Sequence, residues 1–243
     1  MPDATINNAK QAIRERVWEL LERARITEPG VHGYIPAFAE SEIAANLLAG
    51  TPEWHAAQVI KAVPDRAQQP VRERALRDAK LLYMAVPRLA ADPPFCELDP
   101  ASLPVSAAEA ASREGAEKVA RRVGPGQMRP VDMVVCGSVA VNRDGVRLGK
   151  GAGYSDLEVA LLTEAGLIGP TTVIVTTVHP LQVLDEPLPE AGHDFSVDLI
   201  VTTSDVIRCR PPRRPAGLDW DQLPASMILA IPVLAARQDH SGQ

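Results

Sequence analysis

Three apolar runs constrain the fold of this chain more than any other feature: "VDMVVCGSVAVN" (131–142), "TTVIVTTV" (171–178) and "VDLIVTTSDVI" (197–207). They are rich in β-branched residues and do not alternate strictly between apolar and polar. A strand with one wet face alternates, whereas a strand covered on both faces is apolar almost throughout. Helical signals fall between such runs. The spacing predicts a helix over 6–26, where Ile13, Val17, Leu20, Leu21 and Ala24 share a face. Helices are also predicted at "ESEIAANLLA", around "PEWHAAQVI", and at "PVRERALRDA", whose Pro70 suits a first helical position.

"QVIKAVP" and "KLLYMAVP" read as strands on either side of the "PVRERALRDA" helix, which makes a βαβ unit. "ADPPFCELDPASLP" reads as a loop, and "VSAAEAASREGAEKVARRVG" as one helix stopping at Gly124. "VDMVVCGSVAVN" reads as one buried strand, and "SDLEVALLTEAGL" as the helix after it. Strand–helix alternation predicts an α/β fold with a mainly parallel, twisted sheet flanked by helices. No internal repeat or low-complexity linker interrupts it, so 1–243 reads as a single domain. The proline-rich stretch 208–224 is expected to wrap the surface.

The chain is 46% hydrophobic and 23% charged, with a net charge of -6, an ordinary composition for a globular protein. The acidic balance argues against a general nucleic-acid or acidic-membrane surface. Cys96, Cys136 and Cys209 are scattered and form no CxxC pair, which argues against a disulfide framework or a zinc site. No stretch approaches the roughly 20 apolar residues of a membrane span, and the first residues lack a signal-peptide core. The expected location is cytoplasmic, with no nucleic-acid or membrane partner; oligomeric state is left open.

"GVRLGKGAGYSDLE" (145–158) lies between a predicted strand and a predicted helix, where α/β sheets bind ligands. Glycines let the backbone approach an anion, and successive N–H groups with a helix N-terminus behind them attract one. Arg147 and Lys150 add positive charge, and Asp156 is placed to hold Mg²⁺ beside phosphate oxygens. The spacing is G-x-G-x-G, which is neither the dinucleotide fingerprint nor a G-x-x-x-x-G-K-[ST] loop. Glycine content alone leaves two readings open, a phosphate cradle and a tight strand–helix turn. Lys10 and Arg14, four residues apart, share one face of the first helix.

Together, the Lys-x-x-x-Arg helix and "GVRLGKGAGYSD" resemble the 5-formyltetrahydrofolate cyclo-ligase (methenyltetrahydrofolate synthetase) family. Asp132, Gln182, Leu188-Pro189, His193-Asp194 and "VDLIVTT" match its further pattern, and the likeness runs from about residue 8 to 207. The overall pattern is closest to a divergent branch that includes the methenyltetrahydrofolate synthetase domain-containing proteins. The resemblance implies a Rossmann-like fold of cyclo-ligase type. It also implies folate and one-carbon chemistry: ATP and 5-formyltetrahydrofolate, with Mg²⁺, give 5,10-methenyltetrahydrofolate, ADP and phosphate. Under it, Lys10 and Arg14 touch ATP phosphates. Arg147, Gly149, Lys150, Gly151, Ala152 and Gly153 form the phosphate loop, with Arg147 and Lys150 catalytic. Tyr154 flanks nucleotide or folate in a catalytic role, and Asp156 binds Mg²⁺. A reduced folate is the implied partner.

The chain departs from the pattern at Ser155, where a second tyrosine is usual. It departs again at "KAVPDRAQQPVRERAL", where a glutamate-and-threonine stretch is usual; Asp65 and Gln68 fall near that place. The alternative to the ligase is therefore a catalytically diverged nucleotide-binding paralogue, with a regulatory role or a different small-molecule substrate.

Other chemically capable residues receive structural expectations. His179 is expected to bond local backbone, Asp194 to cap a turn beside His193, and Cys136 to pack in the core. Trp18, Trp54 and Trp220 are expected to pack as well. Ser138 lacks a G-x-S-x-G elbow and is not read as a nucleophile. The arginines of "CRPPRRP" are read as a solvated arm.

Overall fold

The structure is a computed structural model describing residues 2–210, 213–221 and 223–240. Pro211 and Pro212 of the arginine-rich run lie outside the described residues. In chain order the elements are α1 (Pro2–Arg23), α2 (Ser41–Ala49), α3 (Pro52–Ala56), β1 (Val59–Ala62), α4 (Gln69–Arg77), β2 (Leu81–Ala85), β3 (Phe95–Leu98), α5 (Ala107–Ala111), α6 (Arg113–Val119), β4 (Arg121–Val123) and β5 (Met133–Cys136). They continue with β6 (Ala140–Asn142), β7 (Arg147–Leu148), α7 (Tyr154–Glu164), β8 (Val173–Thr177), β9 (Val183–Leu184), β10 (Leu199–Val201), β11 (Val206–Arg208), α8 (Ala225–Ala230) and α9 (Pro232–His240).

The described residues form an eight-stranded sheet in the order β11-β10-β8-β5-β1-β2-β3-β4, and a small sheet in the order β7-β6-β9. β10, β8, β5, β1 and β2 are parallel; β11 and β3 run against them, and β4, antiparallel to β3, closes the far edge. The α/β reading is thus borne out. Because side chains alternate across a strand, each parallel strand feeds two cores. Ile60, Leu82, Val135 and Val175 pack with residues of α1, α2 and α4, while Val59, Tyr83, Val134 and Ile174 pack with residues of α7, α8 and α9. Among the described residues, no helix is long and apolar enough to cross a membrane.

Some elements differ from the sequence reading. "VDMVVCGSVAVN" breaks over 137–139, so β5 stays in the large sheet and β6 leaves for the small one. Gln182 staples this break: its amide donates to the carbonyls of Ser138 (2.9 Å) and Val139 (3.1 Å). The stretch 105–124 is not one helix. Ser112 ends α5 and caps α6 by accepting the Gly115 N–H at 2.9 Å, and the chain enters β4 before Gly124. The expected loop at 91–104 contains β3, which pairs with β2.

Arg72 of α4 is fully buried and holds the chain leaving β1. It donates to the carbonyls of Val63 (2.6 Å), Asp65 (2.9 Å) and Ala111 (2.8 Å). Burial lowers its pKa to about 10, still charged at neutral pH. Arg72→Met orphans three carbonyls and is expected to cost about 3 kcal/mol, read as a lower urea midpoint with an unchanged m-value.

Candidate functional site

The strand order reverses direction at β1: β2 follows on one side, and β5, β8 and β10 on the other. The crevice beyond the carboxyl ends at such a switch point is where open α/β sheets take ligands. Here it is bordered by Asp65, which follows β1, and by residues 147–156, reached from β5 through β6 and β7. Lys10 and Arg14 of α1 and His193-Asp194 complete its wall. All ten expected site residues border this one cleft: Lys10, Arg14, Arg147, Gly149, Lys150, Gly151, Ala152, Gly153, Tyr154 and Asp156.

Arg14 reaches 135 residues along the chain to donate its Nε to the Gly149 carbonyl at 2.7 Å. A Cβ on Gly151, where φ is +97°, would stand 3.4 Å from the Arg14 guanidinium. Lys10, buried, bonds Asp194 Oδ2 at 2.5 Å, and the same oxygen accepts the Ala191 N–H at 2.6 Å. Asp194 is therefore a turn cap, as expected, and also the counter-charge of Lys10. Lys150 pairs with Asp65 at 2.8 Å.

Arg147 sits under the loop. Its Nη2 donates to Asp156 Oδ1 at 2.8 Å, and its guanidinium carbon lies 4.0 Å from the Phe195 ring centroid. Burial, the largest single influence, lowers its pKa, but Asp156, Cys136 and Asp194 acting together outweigh it and hold the group above its ordinary value. Arg14 is pulled the other way: desolvation lowers it, Arg147 adds to the lowering, and Asp194 and Asp156 oppose. Arg147 Nε and Nη1 are buried without a hydrogen-bond partner. A buried guanidinium with unused donors is costly unless an acceptor arrives.

This explains the glycine at 149, whose added Cβ would fall 2.8 Å from Arg147 Nη1. Gly149→Ala is expected to displace the guanidinium, raising the midpoint concentration for triphosphate binding by roughly tenfold or more while leaving the far-UV circular dichroism spectrum unchanged.

The loop ends at Gly153 (φ +73°), the N-cap of α7, where no side chain caps the helix. Tyr154, Ser155 and Asp156 of the first turn border the cleft, so the positive helix end faces it. Among the described residues no cluster of three or more His, Cys, Asp or Glu side chains is arranged to hold a metal. A divalent ion here would draw most ligands from phosphate oxygens and water, with Asp156 as the carboxylate, a donor set that suits Mg²⁺.

A second, arginine-rich cavity adjoins the cleft. Lys150, Ala152, Tyr154 and Ser155 border both, and Arg66, Arg72, Arg88 and Arg113 surround the second. Glu158 borders it too and makes a buried ion pair with Lys61 of β1. Sequence reasoning missed this pair and the Lys150–Asp65 contact. The available signal was a lysine inside the apolar run "VIKAV", a charge needing a buried partner.

The remaining expectations fall into place as packing or local bonding. His179 Nδ1 accepts the Leu181 N–H at 3.2 Å, and burial lowers its pKa against the opposing pull of Glu40. Ser138 Oγ bonds Thr176 Oγ1 at 2.9 Å and is buried. Cys136, Trp18 and Trp54 are buried. The arginine arm is more tied down than expected: Arg208 pairs with Glu53, and Arg214 with Asp198.

Comparison with known proteins shows the family and the fold. The model of the 5-formyltetrahydrofolate cyclo-ligase family matches residues 6–203. The chain is 36% identical over 97% of its length to a mouse protein named methenyltetrahydrofolate synthase domain-containing protein, and covers 64% of that protein. The human protein of that name is 33% identical over the whole chain, which covers 66% of it. The chain thus spans about two thirds of the length of these relatives. Its fold is similar to the NMR structure of Aquifex aeolicus 5,10-methenyltetrahydrofolate synthetase, at a TM-score of 0.54 and 22% identity, covering 88% of this chain and 99% of that one. The chain belongs to the 5-formyltetrahydrofolate cyclo-ligase family.

Proposed function

We propose that this chain is an ATP-dependent ligase that closes 5-formyltetrahydrofolate to 5,10-methenyltetrahydrofolate. The observation that carries the proposal is Arg147, buried under the glycine loop with two guanidinium nitrogens unused. An incoming phosphate oxygen supplies the missing acceptor. Lys10, Arg14, Arg147 and Lys150 face Asp65, Asp156 and Asp194 in the same cleft, four cations against three carboxylates. That excess of one positive charge is too small for a triphosphate by itself, which is why the reading includes Mg²⁺, a charge neutraliser when bound. The Lys150–Asp65 pair is the most exposed of the three ion pairs that Lys10, Arg147 and Lys150 make in the cleft and the easiest to open, and it would free Lys150 for the transferred phosphoryl group.

The reading puts the folate in the arginine-rich cavity, whose cations suit its carboxylates. ATP transfers its terminal phosphoryl group to the formyl oxygen. The N10 amine then adds to the formyl carbon and loses its proton, and phosphate leaves as the C–O bond breaks. Such chemistry is mostly positioning and charge neutralisation.

A catalytically diverged nucleotide-binding paralogue, acting on another small molecule or in regulation, is the second reading. It is favoured by Ser155 and by Glu158, whose carboxylate borders the folate-side cavity. The deciding assay supplies purified chain with ATP, Mg²⁺ and 5-formyltetrahydrofolate and follows methenyl absorbance. Product formation is the expected result. No product, where a positive-control enzyme turns over, overturns the ligase; ATP-dependent thermal stabilisation persisting in the same sample then selects the paralogue.

A further inference from the structure

A segment beyond the matched residues 6–203 contributes residues 215–219, Leu223, Pro224 and Met227 to the wall of a cavity against α7 that adjoins the glycine cleft. Asn7, Gly153, Asp156 and His193 border both spaces, so the two are direct neighbours. The walls are apolar: Leu157 and Ala160 from α7 face Leu218, Leu223 and Met227 from the segment, with Asp219 at the edge. We propose that this cavity receives the base and ribose of the nucleotide whose phosphates occupy the glycine cleft, so that a segment outside the family match completes the nucleotide site. The inference rests on the triphosphate reading above.

Charge decides which neighbouring cavity takes which end of the chemistry. The arginine-rich cavity on the other side of the loop is bordered by Arg66, Arg88 and Arg113 and suits an anionic acceptor. No lysine or arginine borders the cavity under 213–227 among the described residues. An uncharged, planar heteroaromatic base loses little by leaving water for such apolar walls, and Asn7, His193 and Asp219 are polar groups available for its edge.

The segment is anchored. The carboxylate of Glu164, in the last turn of α7, accepts the Leu218 N–H at 3.2 Å and the Arg237 guanidinium at 2.7 Å. Gly217 passes so close that an added Cβ would stand 3.2 Å from Glu164 Oε2. The wall is thus fixed before a ligand arrives, which reduces the ordering cost of binding.

Calorimetry with Mg-ATP and with magnesium tripolyphosphate tests the proposal. The wild-type chain should bind both, ATP more tightly. The Leu218→Ser/Met227→Ser double variant should bind ATP on the order of tenfold more weakly and tripolyphosphate as the wild type does. The label from 2-azido-ATP should map to 213–227 and be competed by ATP. ATP bound equally well by wild type and double variant, or label in the arginine-rich cavity, overturns this proposal and leaves the phosphate reading standing. A wild-type chain that binds no tripolyphosphate overturns the phosphate reading, and this proposal with it.

Discussion

Lys61→Met is expected to lower the stability of the folded chain by about 3–5 kcal/mol, the usual cost of stripping one partner from a buried ion pair. Lys61 sits on β1 in the centre of the parallel sheet, 1% exposed, and its strand neighbours Ile60 and Ala62 point to the opposite core. Its side chain enters the α7 layer, where Glu158 of α7 is its hydrogen-bonding partner. Removing the ammonium leaves Glu158, 4% exposed, without its hydrogen-bonded counter-charge. A chain of this size loses roughly 2–4 °C of melting temperature per kcal/mol, so the midpoint should fall by about 10 °C. The Lys61→Met/Glu158→Leu double variant removes both charges and should recover most of the loss, because well-packed apolar residues commonly replace a buried pair at little cost. Calorimetric melting of the three proteins checks this. A single variant that melts with the wild type would mean that water or a side-chain shift already solvates Glu158.

The central layers of the fold were legible because their signal is local. β1, β2, β5, β8 and β10 are apolar runs in the chain, and α1, α2, α4 and α7 have their periodicity or first-turn residues in plain view. What escaped was set by distant partners. β3 is four residues among prolines and is a strand because β2 offers an open edge. The break between β5 and β6 depends on Gln182, more than 40 residues away. Ser112, a good N-cap residue, was the readable sign that 105–124 is two helices.

The site was legible in the same graded way. The glycine loop and the two α1 cations could be picked out by residue, and the structure brings them to one cleft. Their counter-charges could not: Lys10 to Asp194 spans 184 residues and Lys150 to Asp65 spans 85. Nor does spacing say that Arg147 stacks on Phe195, or that two of its nitrogens are unused. Pairings of this kind depend on which loops meet above the sheet, and periodicity carries no information about that.

Arg147→Met should weaken triphosphate binding severely while Arg147→Lys should weaken it less, and the difference between the two is informative. Methionine keeps the stem packed on Phe195 and removes the whole fork. Truncating one partner of a buried, hydrogen-bonded charge pair costs about 2–5 kcal/mol of binding, a loss of roughly thirty- to several-thousand-fold. Lysine restores the charge but offers one compact ammonium where the guanidinium has a planar fork. It can satisfy Asp156 or a phosphate, not both in the present geometry, so it should land between wild type and Arg147→Met. Either change also leaves Asp156 less well paired, which would lower stability whether or not a nucleotide binds there. Asp156→Asn separates the two effects: in the Arg147→Met background it should regain part of the lost melting temperature and none of the triphosphate affinity. The readouts are calorimetric melting without ligand and titration with Mg-ATP. If Arg147→Met binds Mg-ATP like the wild type, the buried guanidinium is a prop for α7, and the phosphate site must be sought elsewhere along the sheet's carboxyl edge.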